Sequence, residues 1–146
     1  MTISIRATTP SALPTSEAKI RRRLGKVLRE LNLSGRHLSL LFTDDETIRA
    51  LNRDWLGRDK PTNVLAFPDT SEARGQPGHL GDVALSVQTL WREAGQSGAD
   101  RGLFLYYYLI HAILHLAGYD HELGPEEDEA QRLETERLLG LIRRDL

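Results

Sequence analysis

The chain has 146 residues, of which 40% are hydrophobic and 27% are charged, the balance of an ordinary globular protein. This length suits one sizeable core, so we predict a single domain over residues 1–146. The formal net charge of -2 excludes a general attraction to nucleic acid, and any RNA contact then needs a local basic patch. The chain has no cysteine, which excludes disulfides and leaves nitrogen and oxygen as the metal ligands.

A membrane-spanning segment is not expected. The most apolar stretch, Leu103 to Gly118, is interrupted by His111 and His115 and is too short to cross a bilayer. Residues 1–14 lack the basic start and apolar run of a signal peptide. We therefore expect no membrane partner and no secretion by a signal peptide.

The first third of the chain predicts two strands around a helix. Thr2 to Ala7 alternates in polarity as a strand does, and Pro10 and Pro14 end it. A helix follows, because apolar residues recur at helical spacing: Ile20, Leu24, Val27, Leu28 and Leu31. His37 to Phe42 is predicted to be the second strand.

The middle of the chain predicts a short helix and two further strands. Thr43, with Glu46 three residues later, forms a capping-box pattern for a helix that ends before Gly57. Asn63 to Phe67 is a short strand, and Pro68 marks its end or a sheet edge. Asp69 to Gly78 has the composition of a loop, and Asp82 to Val87 is the next strand.

The last third is predicted to be helical. A helix from about Val87 to Ala94 is followed by a loop, Gly95 to Asp100, and by a long apolar helix. The final helix begins at Pro125 with acidic residues after it and ends at Arg143 and Arg144, a charge order that matches the helix dipole. The order of elements predicts an α+β fold, a small mixed β-sheet packed by helices.

Three histidines near the end of the long helix have the spacing of a metal site. His111 and His115 are four residues apart and share one face of a helix. Gly118 can adopt the left-handed conformation that reverses the chain and brings His121 to the same ion. Three imidazoles with a vacant fourth position are typical of catalytic zinc. The alternative is a buried helix with incidental histidines.

A zinc ion in such a site lowers the pKa of its water to about 7 and makes hydroxide available for hydrolysis. The target is a carbonyl or a phosphodiester. The metzincin peptidase pattern His-Glu-x-x-His-x-x-Gly-x-x-His has the same spacing, but its general base is replaced here by Ala112. Since alanine cannot transfer a proton, peptidase activity is the weaker interpretation.

Three blocks of sequence resemble the YbeY family, bacterial endoribonucleases of ribosomal RNA maturation. His111–His121 resembles the family signature His-Gly-x-Leu-His-Leu-x-Gly-Tyr-Asp-His, while Leu51–Asn52 with Asp59–Pro68, and Leu80–Val83, resemble two further blocks in the family's order. The resemblance implies a cytoplasmic, metal-dependent hydrolase of RNA with one zinc ion per chain. Its expected partners are ribosomal RNA and the small ribosomal subunit, with maturation of the small-subunit 3′ end and ribosome quality control as its roles, and no DNA.

Two positions depart from the family pattern. Ala112 stands where many members have glycine, a small change that leaves the helix in place. Leu56 follows Trp55 where the family usually has an arginine, and leucine cannot neutralise charge developing on a phosphate. We hypothesise that Arg58, beyond a Gly57 hinge, reaches the same phosphate and acts in catalysis.

Two aspartates are further catalytic candidates. Asp82 is predicted at a junction of loop and strand, where it would orient a ligand or a water, unless Gly81-Asp82 is simply a turn. Asp120 would accept the second ring proton of a zinc histidine, or it only caps the turn after Gly118.

A basic stripe on the first helix is a candidate RNA contact. Its cations are Lys19, Arg22, Arg23, Lys26 and Arg29. Such a stripe can bind phosphates, although a charged face opposite an apolar one is also the default for a surface helix.

Three functions therefore stay open. The leading interpretation is a zinc-dependent endoribonuclease, and the second is a zinc peptidase or other carbonyl hydrolase. The third is a ribosome-associated binding factor with a structural metal and weak or no nuclease activity, which Leu56 in place of the family arginine makes plausible. The sequence determines neither the metal bound in cells nor the oligomeric state.

Overall fold

The computed structural model describes residues 3–69 and 78–146. Four strands in these residues form a mixed sheet. The strands are β1 (Ile3–Ala7), β2 (His37–Thr43), β3 (Val64–Pro68) and β4 (His79–Ser86). Their order is β1-β2-β4-β3, with β1, β2 and β4 parallel and β3 antiparallel to β4. Strand β3 therefore forms an edge of the sheet and ends at Pro68, the two alternatives that this proline indicated.

Five α-helices accompany the sheet in the described residues. They are α1 (Glu17–Glu30), α2 (Asp45–Leu56), α3 (Val87–Ser97), α4 (Arg101–Leu116) and α5 (Pro125–Ile142). The first four begin at a side chain that accepts a hydrogen bond from a backbone amide three residues on, namely Ser16, Asp44, Ser86 and Asp100. These contacts satisfy amides that a helix start leaves without partners. None of the described helices combines the length and apolar character that a membrane crossing needs.

The two faces of the sheet are covered unequally. The larger core joins alternate residues of β2 and β4 to α1, α4 and the end of α5, with Ile20, Phe42, Leu85 and Leu109 fully buried. On the other face a smaller cluster packs Ile48 of α2 against Leu65 and Ala84. Because successive strand residues point to opposite faces, one strand can contribute to both clusters. Helix α4 packs in the larger one.

The predicted α+β class is confirmed, and several boundaries differ, three of them described here. The cap of α2 is Asp44 rather than Thr43, because the carboxylate of Asp44 reaches the amide of Thr47 at 2.8 Å. Strand β4 begins at His79, three residues before the prediction, and α3 extends to Ser97. Thr2 and most of the predicted loop, residues 70–77, lie outside the described residues. The assignment of one domain to residues 1–146 stays a prediction.

One cation of the predicted basic stripe faces the interior. Arg23 is only 8% exposed and donates hydrogen bonds to the Tyr106 hydroxyl at 3.1 Å and to the carbonyl of Asp145. Lys26 pairs with the Asp145 carboxylate at 2.8 Å. The stripe on α1 thus fastens the C-terminal turn to the core, and fewer of its charges remain for a ligand than the sequence suggested.

Replacing Arg23 with methionine is expected to destabilise the protein by about 2 kcal/mol. The substitution leaves the buried Tyr106 hydroxyl and the Asp145 carbonyl without their charged donor. Urea unfolding would measure the loss. Arg22→Met is the matched control, since Arg22 is exposed and should change stability by less than about 0.5 kcal/mol. Equal stability of the two variants would contradict a structural role for Arg23.

Candidate metal centre

The histidines lie where α4 ends and the chain reverses. Gly118, just beyond the helix, has a φ of +111°, a conformation that favours glycine. Its amide donates to the carbonyl of His115 at 3.1 Å, and the amide of Tyr119 donates to Leu114 at 3.0 Å. These two bonds are the Schellman pattern that closes a helix. The predicted reversal at Gly118 is therefore the observed one.

After the reversal, Asp120 starts a short 3-10 turn, His121–Leu123. One oxygen of Asp120, Oδ1, accepts a hydrogen bond from the amide of Glu122 at 2.9 Å. This bond caps the turn that begins at His121. The capping role considered for Asp120 is thus observed.

The reversal brings two of the three predicted ligands, His115 and His121, together with Asp120. His115, Asp120 and His121 each offer a ligand atom within 4.8 Å of the others. The His111 ring lies beside that of His121, with 5.1 Å between ring centroids. Imidazole and carboxylate groups are the donors expected for zinc in a chain without cysteine. The residues can hold a divalent ion, with Asp120 as a fourth donor or as the partner of a ligand.

Two ring nitrogens support this fit to a metal. The Nδ1 atoms of His115 and His121 are buried and have no hydrogen-bond partner among the described residues. A buried nitrogen without a partner is unfavourable in a protein that holds nothing at the site. Burial, followed by the charges of His121 and His115, lowers the pKa of His111. The neutral imidazole, which is the form that binds metal, is therefore favoured.

A glutamine on α5 contacts the backbone of His111, and sequence analysis missed it. Gln131 is fully buried, and its Nε2 donates to the carbonyl of His111 at 3.0 Å. The backbone carbonyl of Gln131 accepts from the Thr135 hydroxyl at 2.7 Å. A usable signal was present, because Gln131 precedes Thr135, Leu138 and Ile142 at helical spacing and so falls on the buried face of α5.

A second contact joins the centre to the loop before β3. The Tyr108 ring lies 6.4 Å from that of His111, between centroids. Burial raises the pKa of the Tyr108 hydroxyl, and the neighbouring side chain of Asn63 partly opposes this. The Nδ2 of Asn63 donates to Glu93 of α3 at 2.9 Å. The loop that follows α2 therefore ends beside the metal ligands, which sequence spacing did not indicate.

The other two predicted catalytic residues, Asp82 and Arg58, show no contact with the three candidate ligand histidines among the described residues. Asp82 is inside β4, paired with Phe67 and Ser39, so its predicted place at a junction of loop and strand is wrong. A side chain built on Gly81 would meet Leu116 of α4, and alternation puts Asp82 on the opposite face. Its recorded contact is with His79, at 3.7 Å. Arg58 is exposed in the loop after α2.

An open pocket of about 340 Å³ adjoins the centre. Asp120 and Tyr119 form one side, and residues of the following turn and α5 form the other: Leu123, Glu127 and Ala130. Space for a ligand thus exists next to Asp120 of the candidate donor group.

The fold and the site define an α+β protein with a histidine-based candidate metal centre at the end of a core helix. A family model described as Endoribonuclease YbeY matches residues 4–141. The chain belongs to the YbeY family, as the three sequence blocks implied.

Similar proteins carry the same name. The chain is 48% identical to the Endoribonuclease YbeY of Chelativorans sp. over 106 residues, which are 71% of this chain and 65% of that protein. It is 44% identical to the protein of that name from Syntrophotalea carbinolica over 112 residues, 75% of this chain and 74% of the relative. The alignment with the first of these relatives thus spans slightly less than two thirds of its length.

A solved structure is also similar. The solution structure of TM1509 from Thermotoga maritima has a TM-score of 0.65 and 25% sequence identity. The match covers 98% of this chain and 93% of that one. The described arrangement of sheet and helices is therefore one that an experimentally determined protein shares.

Proposed function

We propose that this protein is a metal-dependent endoribonuclease with one zinc ion held by His111, His115 and His121. The observation that carries the proposal is the convergence of histidine and aspartate donors, with two buried ring nitrogens that have no partner among the described residues. Bound zinc would supply a Lewis acid and a water of lowered pKa. The names of the relatives support RNA as the substrate.

The protein's own residues orient the ligands and the substrate. Gln131 fixes the turn of α4 that carries His111, and Asp120 fixes the turn that carries His121. We propose that the exposed Arg58 binds a phosphate of the RNA, a task that leucine at position 56 cannot perform. Asp82 has no part in this proposal because it faces away from α4.

For the substrate we propose ribosomal RNA of the small subunit, with 3′-end maturation and ribosome quality control as the roles. The support is membership of the family and the names of its members. A ribosomal substrate places the activity in the cytoplasm. Peptidase activity is not supported, because Ala112 is 2% exposed and offers no proton-transfer group.

A binding factor without nuclease activity is the alternative that one observation favours. Leu56 replaces the family arginine and is 48% exposed, so an apolar side chain occupies a position where charge is usual. Salt-dependent RNA binding without turnover would identify this alternative.

The test is cleavage of a structured rRNA fragment by the protein, with and without chelator, and by His115→Ala purified in parallel. We expect cleavage only in the untreated wild type, and recovery when zinc is added back. Equal cleavage in all samples would reveal a contaminating ribonuclease. No cleavage in any sample would move the assignment to the binding factor.

Arg58→Ala is expected to reduce kcat/KM for RNA by roughly 10-fold, the effect of losing one exposed phosphate contact worth about 1.4 kcal/mol. Steady-state cleavage kinetics would measure it. Arg36→Ala, which removes another exposed arginine, is the control. A kcat/KM equal to that of the wild type would remove Arg58 from the site.

A further inference from the structure

An exposed tryptophan stands at the end of α2. Trp55 is 71% exposed and its neighbour Leu56 is 48% exposed. Tryptophan ordinarily buries most of its large apolar surface. A tryptophan and a leucine that face water side by side lose that stabilisation, and such surfaces commonly mark binding sites. These two side chains therefore require an explanation that folding does not give.

Their surroundings are positively charged. Residues 49–60 contain four basic and two acidic side chains, a net charge of +2 in a chain of net -2. Both carboxylates, Asp54 and Asp59, are paired with arginines of α2. The exposed side chains of Arg58 and Lys60 have no recorded hydrogen bond or ion pair within residues 3–69 and 78–146. This combination fits a partner that is both aromatic and anionic.

The loop after α2 is anchored and leads to the metal centre. Asn52, 2% exposed, donates from Nδ2 to the carbonyl of Lys60 at 3.0 Å. Three residues later, Asn63 contacts Tyr108, whose ring lies 6.4 Å from that of His111. Trp55 thus lies at the end of α2, and the loop that carries Arg58 and Lys60 ends at Asn63, beside the tyrosine that neighbours His111.

We propose that Trp55 stacks on a base of single-stranded RNA while Arg58 and Lys60 bind the adjacent phosphates, which guides the strand towards the metal centre. This inference rests on the proposed function and adds a substrate-binding surface to it. An indole ring can stack on any base that is not already stacked in a duplex. The surface therefore selects unpaired RNA rather than a particular sequence.

A second copy of the chain fits this surface less well. A two-fold contact would place the same net charge of +2 against itself. Two exposed apolar side chains are also a small nucleus for an interface, since stable ones bury about 800 Å² on each partner. Charge complementarity favours a polyanion.

The test uses the fluorescence of Trp55. The chain has two tryptophans, so Trp91→Phe leaves Trp55 as the single emitter. Titration with a ten-nucleotide single-stranded RNA, in chelator to prevent cleavage, should quench this emission. Trp55→Ala should weaken RNA binding, measured by anisotropy, roughly 5- to 20-fold, while Trp55→Phe retains most of it.

Two further variants sharpen the test. Leu133→Ala, which truncates another exposed apolar side chain (53% exposed) on α5, should leave affinity unchanged. The double variant Arg58→Gln, Lys60→Gln should reduce the slope of log affinity against log salt by about 1.4, or about 0.7 for each lost phosphate contact.

Unchanged Trp55 emission with RNA, or wild-type affinity of Trp55→Ala, would overturn the proposal. An emission change that follows protein concentration without RNA would overturn it too, by assigning the surface to a second copy. Quenching without any cleavage would uphold the binding surface while the nuclease proposal fails. Cleavage with unchanged emission would give the opposite result.

Discussion

His115→Ala is expected to abolish specific zinc binding at the site, with an affinity loss above about 100-fold. Replacing a residue that only supports a ligand typically reduces metal affinity by 10- to 100-fold, and loss of a ligand should exceed that range. His115 belongs to the donor group with Asp120 and His121 and has a buried nitrogen without a partner. Calorimetric titration of metal-free protein with zinc would measure the change.

Comparison with Asp120→Asn distinguishes two ligand sets. One consists of the three histidines, and the other consists of His115, Asp120 and His121. If the three histidines hold the ion, this variant loses roughly 10- to 100-fold in affinity. If Asp120 is a ligand and His111 is not, His111→Ala becomes the milder variant. His37→Ala is the control, because the recorded contacts of His37 are Ser4 and His79. Wild-type affinity in His115→Ala would contradict the metal assignment.

Gly81→Ala is expected to destabilise the protein by about 3 kcal/mol, through backbone strain and overpacking together. Gly81 has a φ of +152°, and an added Cβ would lie 2.6 Å from the carbonyl oxygen of Phe67 and 2.8 Å from Leu116 Cδ2. The carbonyl belongs to the neighbouring strand and cannot move freely. The melting temperature should fall by roughly 10 °C, measured by calorimetry.

The same substitution should weaken zinc binding, since Leu116 is adjacent to His115 on α4. Gly140→Ala in α5 is the matched control, because no atom lies within 4 Å of its added Cβ. It should raise stability by up to about 1 kcal/mol. Equal melting temperatures of the two variants would show that β4 and α4 do not pack as closely as described.

Periodicity and spacing predicted most of the fold. Ile20, Leu24 and Val27 recur at helical spacing and are buried on α1. Pro68 predicted the edge position of β3. The misplaced start of β4 has a physical cause, because its partly buried His79 and its exposed Asp82 do not show the apolar pattern of an interior strand. Pairing with β2 and β3 determines that start, and pairing partners are distant in sequence.

The candidate site, like the fold, was predictable from sequence only in part. The spacing of His111, His115 and Gly118 predicted the reversal that is observed and the histidines proposed as ligands, because both depend on one helix and the turn after it. Gln131 and Tyr108 could not be placed, since their contacts depend on how α5 and the loop before β3 pack against α4. The role of Arg23 was misjudged because spacing alone does not show which cations an adjacent element covers.

The sequence alone therefore determined the chemistry available to this protein: nitrogen and oxygen donors, three histidines at ligand spacing, and a glycine where the chain must reverse. These are local properties, fixed by residue type and by the geometry of a helix. Tertiary structure decided which groups surround the donors. It brings the buried amide of Gln131 to the carbonyl of His111, and it puts Asp82 on the face of β4 that is turned away from α4. Those contacts arise between segments far apart in the chain, and only packing around a common core brings them together.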